Sequence, residues 1–293
     1  CKMEMKAMKK RLICLILAFA LFIAPAVHAC TLWAANGTFV AGGGSMIVKN
    51  RDWTPDQYQY LKTVYPENGY SYLGLYAEGS PTGFKAGINE QGLVVVSATA
   101  GSIPTAERKA MPNKASLTKL LRECASVDEA LSKTELFVGP KILMLADKNK
   151  IATVEIGPDG LFAVRSEESG VIFHTNHYVF DDMLGFNYKI GVSSKKRYDR
   201  IGELLASINR PYVFDDFVAL SNDQNDGPDN SIFRIGSAPE KTRTMAVWAV
   251  QIPANGSPEL YVRLLNPGED EEVIRITTAD IWSDAAEGDA TQK

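Results

Sequence analysis

Beyond its first 29 residues the chain holds only two cysteines, Cys30 and Cys124, and two histidines, His174 and His177. Two cysteines form at most one bridge, so no disulfide framework braces the fold. Two histidines without a third fall short of a zinc site. Basic charge is scarce: 31 Lys and Arg stand against 35 Asp and Glu, a net of −4. The leader takes Lys2, Lys6, Lys9, Lys10 and Arg11 with it, so the remainder is more acidic still and a nucleic-acid partner is not expected. Phosphate-cradling glycine loops are lacking, and Gly42-Gly43-Gly44-Ser45-Met46 has no glycine two residues after its serine, which excludes a nucleophile elbow. Asp223, Asp226 and Asp229 crowd a Gly-Pro turn but lack the closing acid of a calcium loop, and this segment reads as a loop. Neither a metal nor a cofactor is called for.

What is present begins at the N-terminus. After Met8 come the basic residues Lys9, Lys10 and Arg11, then an apolar run of 12 residues from Leu12 to Ile23, then Pro25 and small residues at Val27 and Ala29. A membrane-spanning helix needs about 20 residues, so this run reads as an export signal cut after Ala29 and not as a stable membrane insertion. The organisation expected is a signal peptide over 1–29, one domain over 30–282 and a polar tail over 283–293, in a periplasmic or secreted protein. Homo-oligomerisation is left open.

That cut makes Cys30 the first residue, with a thiol and a free α-amine on one residue. A thiol of pKa about 8.5 and an α-amine of about 7.7–8.0 both lie near operating pH, so the amine can take the thiol proton and return it. The alternative is a lipoprotein, a lipid-anchored binding protein with Cys30 lipidated; His28 is awkward in its recognition box and no Ser/Gly-rich tether follows.

The remainder alternates short strands with few helices. Thr31–Ala35 reads as a strand, Asn36-Gly37 as a hairpin turn, Thr38–Ala41 as a returning strand, and Ser45–Lys49 as another that ends in the charged cluster Lys49-Asn50-Arg51-Asp52. Pairing of the first and last of these brings Asp52 near Cys30. Tyrosines 58, 60, 65, 70, 72 and 76 fit either alternating strands or the wall of an acyl pocket. Two helices are predicted over 114–123 and 127–133, the second opened by a Ser126/Glu129 capping box, with Cys124 buried among their leucines. Strands follow over 142–146, 151–156, 245–252 and 259–265, and a helix over 193–207. Strand runs on both sides of a helical pair indicate an α+β fold.

Cys30-Thr31, Asn50-Arg51-Asp52 and Gly87-Ile88-Asn89-Glu90-Gln91-Gly92-Leu93 together resemble the N-terminal-nucleophile amide hydrolases that include choloylglycine hydrolases, penicillin V acylases and isopenicillin-N acyltransferase-like (peptidase C45-type) proteins. The resemblance spans about residues 30–270 and implies a four-layer αββα sandwich acting on a small-molecule linear amide, by hydrolysis or acyl transfer. It implies that Cys30 is the nucleophile, that Asp52 orients its amine, and that Asn176, in Thr175-Asn176 after a strand, donates to the oxyanion. Thr99 stands where the family commonly has an oxyanion-hole asparagine, leaving a backbone amide for that role. Lys49 occupies the place of the family arginine, so either Lys49 or Arg51 serves in its stead. A Ser-rich helix start implies a supporting arginine, Arg197 or alternatively Arg200.

Overall fold

The two strands nearest Cys30 pair as their closeness in sequence predicts. In a computed structural model, which describes residues 29–79, 83–111 and 117–288, β1 (Ala29–Asn36) runs antiparallel to β2 (Gly44–Trp53), with Ala29 opposite Asp52 and Cys30 opposite Arg51. The expected export signal, up to His28, lies outside the described residues, as do the last five residues of the expected tail. The turn between the strands differs from expectation. Residues 38–41 form no strand, because Gly37–Phe39 coil into a short 3-10 helix and only Val40 makes an isolated bridge, to Tyr212. Three successive glycines, Gly42 to Gly44, then adopt positive φ and reverse the chain, and a Cβ at Gly44 would meet the carbonyl oxygen of Ile252 at 2.1 Å.

Two antiparallel sheets result. The front sheet has six strands in the order β10 (Gly170–His174), β1, β2, β11 (Arg243–Pro253), β12 (Glu259–Leu264), β13 (Glu272–Thr277). The back sheet is a seven-stranded meander from β3 to β9: Tyr58–Val64, Tyr72–Glu78, Gly83–Asn89, Val94–Thr99, Lys141–Ala146, Ile151–Ile156 and Phe162–Glu167. Adjacent strands in sequence are adjacent in this sheet; the connection from β6 to β7 carries the back helices, and the others are short, such as the turn Asn89–Gly92, where the Asn89 side chain accepts from the amides of Gln91 and Leu93.

Both faces of both sheets are covered. Leu32, Ala34, Ile47, Trp248 and Val250 of the front sheet meet Leu75, Ile88, Val94, Val96 and Met144 of the back sheet in one inter-sheet core. The opposite face of the front sheet, carrying Trp33, Val48 and Val247, packs on Ile201, Leu205 and Phe217, and that of the back sheet, carrying Val95, Leu143 and Val154, packs on Leu120, Leu121 and Val127. The helices involved are α4 (Val192–Ser207) and α5 (Phe214–Ala219) on the front, and α2 (Leu117–Glu123) and α3 (Val127–Ser132) on the back; α1 is Thr105–Ala110. The order helix, sheet, sheet, helix is the four-layer α+β sandwich. The capping box opens α3: the Glu129 amide donates to Ser126 Oγ at 3.2 Å, and the Ala125 amide donates to Glu129 Oε2 at 2.7 Å. The Asp-rich segment contains α6 (Gly227–Asn230), one helical turn in what reads as a loop. The expected tail boundary at 283 falls inside α7 (Thr278–Gly288).

Candidate active site

Side chains alternate across a strand, so β1 and β2 present two different environments. Cys30, Leu32, Lys49 and Arg51 point between the sheets; Thr31, Asn50 and Asp52 point toward the helices. Cys30 is 8 % exposed and sits at the start of β1, the second strand of the front sheet, with Arg51 of β2 on one side. On the other side β10 pairs His174 with Leu32, and the same antiparallel register carried two residues further sets Asn176 beside Cys30. The backbone nitrogen of Cys30 donates to Asn176 Oδ1 at 2.9 Å.

Arg197 ties this junction from the helical side. Its Nη1 donates to the Cys30 carbonyl at 2.6 Å and to Thr31 Oγ1 at 2.8 Å, and its Nη2 donates to Asn176 Oδ1 at 3.0 Å. A guanidinium only donates, so its presence decides which way the Asn176 amide faces. The oxygen serves Cys30 and Arg197, and Nδ2 donates to the Thr99 carbonyl at 2.9 Å, leaving a second N–H on the same nitrogen. Arg200, the alternative, is not part of this cluster and forms a fork with Asp223 nearer the surface. Burial lowers the Arg197 guanidinium to about 10, against the pull of Asp52.

Asp52 lies on the neighbouring strand, opposite the residue before Cys30. Its Oδ1 accepts from Thr244 Oγ1 at 2.9 Å; its Oδ2 is buried, has no hydrogen-bond partner and lies 3.8 Å from Arg234 Nη1. Burial pushes this carboxyl above the ordinary aspartate range, opposed by Arg234 and Arg197. The charged cluster that ends the predicted strand is thus a buried continuation of β2.

Thr99 enters the cluster through its carbonyl, an acceptor. Ala98 and Ala100 belong to the inter-sheet core, so by alternation the Thr99 side chain faces the back helices. Lys49 and Arg51 are both brought to the Cys30 side. Lys49 Nζ donates to the Lys85 carbonyl at 2.6 Å, while Arg51 Nη2 donates to Gln57 Oε1 and its guanidinium lies 5.4 Å from the Trp53 ring centroid. Burial lowers Lys49 to about 8 and Arg51 to about 10, and for both the charge of Cys30 works in the opposite direction. A third cation, Lys85, is brought within electrostatic range of Cys30. Nothing in the sequence pattern marked it.

The loop after β10 is anchored to the first turn of α4. Ser194 Oγ takes the Asn176 amide at 3.0 Å and meets His177 Nδ1 at 2.9 Å, and Thr175 Oγ1 donates to the Ser194 carbonyl at 2.9 Å. Burial, followed by the charge of His174, lowers His177 to about 4, so it is neutral at pH 7. His174 Nε2 meets the buried Glu155 Oε1 at 2.7 Å. These groups fix the backbone that carries Asn176. Among the described residues no three His, Cys, Asp or Glu side chains gather as a metal site requires, and no helix is long and apolar enough to cross a membrane. Cys124, pushed to about 11 chiefly by burial, lies in the core under α2 and α3.

A profile of the family described as acyl-coenzyme A:6-aminopenicillanic acid acyl-transferase matches residues 40–264. The matched span takes in Asp52, Thr99, Asn176 and Arg197 and begins after Cys30. No curated protein matches the chain in sequence. Among solved structures, a penicillin V acylase from Agrobacterium tumefaciens is similar over 85% of this chain and 86% of its own, at 17% identity and a TM-score of 0.46. A variant of the conjugated bile acid hydrolase from Clostridium perfringens is similar over 86% and 93%, at 13% identity and a TM-score of 0.47.

Proposed function

The chain belongs to the acyl-coenzyme A:6-aminopenicillanic acid acyl-transferase family, an enzyme family, and from that premise we propose that it is an exported hydrolase of linear amides with Cys30 as N-terminal nucleophile. One observation carries the reading. The Cys30 nitrogen, where the leader ends, is held by Asn176, and a buried carboxylate oxygen without a hydrogen bond, Asp52 Oδ2, 3.8 Å from Arg234 Nη1, stands on the adjacent strand. A buried carboxylate oxygen short of a hydrogen bond is costly, and an N–H of a free α-amine at Cys30 supplies the donor it lacks.

In this reading the thiol proton passes to the α-amine as Sγ attacks the amide carbonyl. The second N–H of Asn176 Nδ2 meets the oxyanion, and Arg197 and the Thr99 carbonyl hold that amide in orientation. Collapse breaks the C–N bond, the amine leaves with the proton held on the α-ammonium, and the acyl group stays on sulfur as a thioester. Water then adds to the thioester and gives its proton to the α-amine; breaking C–S releases the acid. Export follows from the leader, with cleavage after Ala29 into the periplasm or medium. Acyl transfer, in which an amine replaces that water, is the second reading, favoured by the description of the matching family. A lipid anchor on Cys30 is disfavoured, because the residue is buried in strand β1, where it pairs with Arg51 of β2.

The test is Cys30→Ser. The variant is expected to fold and to lose most turnover, and rapid quenching of the native enzyme is expected to trap an acyl group on the Cys30 peptide. Near-native turnover by folded Cys30→Ser refutes the assignment. Intact mass of the exported protein reads the N-terminus: a free cysteine agrees with the enzyme, a diacylglyceryl adduct contradicts it.

A further inference from the structure

Strand β11 departs from regular pairing beside Asp52. Thr244 faces Asp52 and Ala246 faces Arg51, so Met245 between them has no counterpart on β2. As at Lys85 of β5, where the pairing jumps from Leu75 and Ala86 to Tyr76 and Phe84, one extra residue reverses the alternation. Ala246 lines the inter-sheet core, yet Thr244, two residues earlier, turns to the helical side and gives its hydroxyl to Asp52 Oδ1. The bulge re-aims Thr244 onto the carboxylate.

Thr244 in turn holds a second residue there. The Arg234 amide donates to Thr244 Oγ1 at 2.9 Å, and the Thr244 amide donates to the Arg234 carbonyl at 2.8 Å. Two residues earlier, the Ile232 carbonyl accepts from Asn50 Nδ2 of β2 at 3.0 Å, so the chain after α6 is tied down over the strand that carries Asp52. The Arg234 side chain is 7 % exposed and its Nε and Nη1 have no hydrogen-bond partner; Nη1 lies 3.8 Å from Asp52 Oδ2, which has none either. Of the groups that oppose burial at Asp52, Arg234 stands first, ahead of Arg197, the Thr244 hydroxyl and Arg51. Arg197 is committed to the Cys30 carbonyl, Thr31 Oγ1 and Asn176 Oδ1. Arg51, on Gln57, and Lys49, which also feels Asp52, lie on the other face of β2. The other acid in range of Arg234, Asp229, is half-buried, and its Oδ1 takes the Ser237 amide at 3.0 Å. Arg234 is the cation left for Asp52.

We propose that Arg234 is a positioning residue of the Cys30 site, an ion-pair partner that keeps Asp52 charged and aimed at the α-amine. This rests on the reading that the amine of Cys30 is the base. When the amine takes the thiol proton it becomes a cation between Arg197 and Arg234, and the Asp52 carboxylate compensates it. Buried without Arg234, that carboxyl would hold a proton itself and compensate nothing.

The proton positions are read by NMR titration of the exported protein, labelled with 13C in the aspartate carboxyls and at cysteine Cα. The Asp52 signal is assigned by its loss in Asp52→Asn, and the Cys30 signal by its loss in Cys30→Ser. Removing a cation strengthens proton binding at every neighbour, so in Arg234→Met both midpoints are expected to rise, that of Asp52 by about one pH unit or more. Arg234→Lys keeps the charge and should keep most of the native value; Arg234→Gln repeats the test if the methionine variant does not fold. An Asp52 midpoint unchanged in a folded Arg234→Met or Arg234→Gln protein overturns the proposal, whatever the loss of stability. In turnover, the acid limb of kcat/KM should move to higher pH in the same variants. A limb that stays in place also overturns the proposal, because an arginine that only braced the fold would lower activity alike at every pH. Near-native turnover by Cys30→Ser removes the nucleophile and leaves the Asp52 titration standing, whereas an unmoved Asp52 midpoint leaves the nucleophile standing.

Discussion

Replacing Arg197 with lysine keeps the charge and removes the fork. The guanidinium serves three acceptors that are themselves buried: the Cys30 carbonyl at 2.6 Å, Thr31 Oγ1 at 2.8 Å and Asn176 Oδ1 at 3.0 Å. They diverge from two different nitrogens, so one ammonium on a shorter stem cannot reach all of them. Each hydrogen bond to a charged group contributes about 1.5–3 kcal/mol, and losing two of them brings the cost to about 3–5 kcal/mol, the range for breaking a buried charged network. For a chain of this size that corresponds to a melting temperature lower by about 10 °C. Urea unfolding followed by circular dichroism measures it: the midpoint should fall with the slope unchanged. Turnover should fall as well, because Asn176 Oδ1 loses the donor that fixes its orientation. A stability loss under about 1 kcal/mol at constant slope would show that the fork does not hold the junction.

Asn176→Ala should lower turnover by roughly 10²- to 10³-fold, the usual cost of one oxyanion donor; steady-state kinetics that show only a raised KM contradict this. Thr244→Val removes, at nearly constant shape, the hydroxyl that donates to Asp52 Oδ1 and accepts from the Arg234 amide, and should destabilise by about 1–3 kcal/mol; a urea midpoint equal to the wild type refutes it. Lys85 and Lys49 titrate near 7 and 8 when folded and near about 10.4 when unfolded. Between those values the unfolded chain binds more protons, so their contribution to stability grows as pH rises from about 7 toward 10. Lys85→Met should make that rise shallower, and parallel urea midpoints at pH 7 and 9.5 for the two proteins contradict it.

The neighbourhood of Cys30 was legible because β1 and β2 are close in sequence and joined by a chain reversal, so their pairing brings Asp52 near the thiol. Asn176 could be named from its motif, but its orientation could not, because it depends on a guanidinium arriving from α4. The burial of Lys49, Arg51 and Asp52 was not legible, since charged residues rarely continue a buried strand. Their burial becomes visible only when β11 pairs with β2, the back sheet covers Lys49 and Arg51, and the helical layer covers Asp52. Lys85 was invisible for another reason: a bulge inserts one residue without changing composition or periodicity enough to show. Thr38–Ala41 failed in the opposite sense, since its β-prone residues lie between glycines that bend the chain before a ladder can form.

The central claim is that the α-amine of Cys30 is the base, and the most direct measurement is turnover of a protein processed one residue early, with Ala29 retained. Ala29 is 1 % exposed and pairs with Asp52 in β1, so the strand accommodates it. Retention turns the amine into an amide, which has no useful basicity at neutral pH, while every other side chain stays in place. A folded protein with no turnover above that of Cys30→Ser is expected. Wild-type turnover, with the extra alanine confirmed by mass, would contradict it.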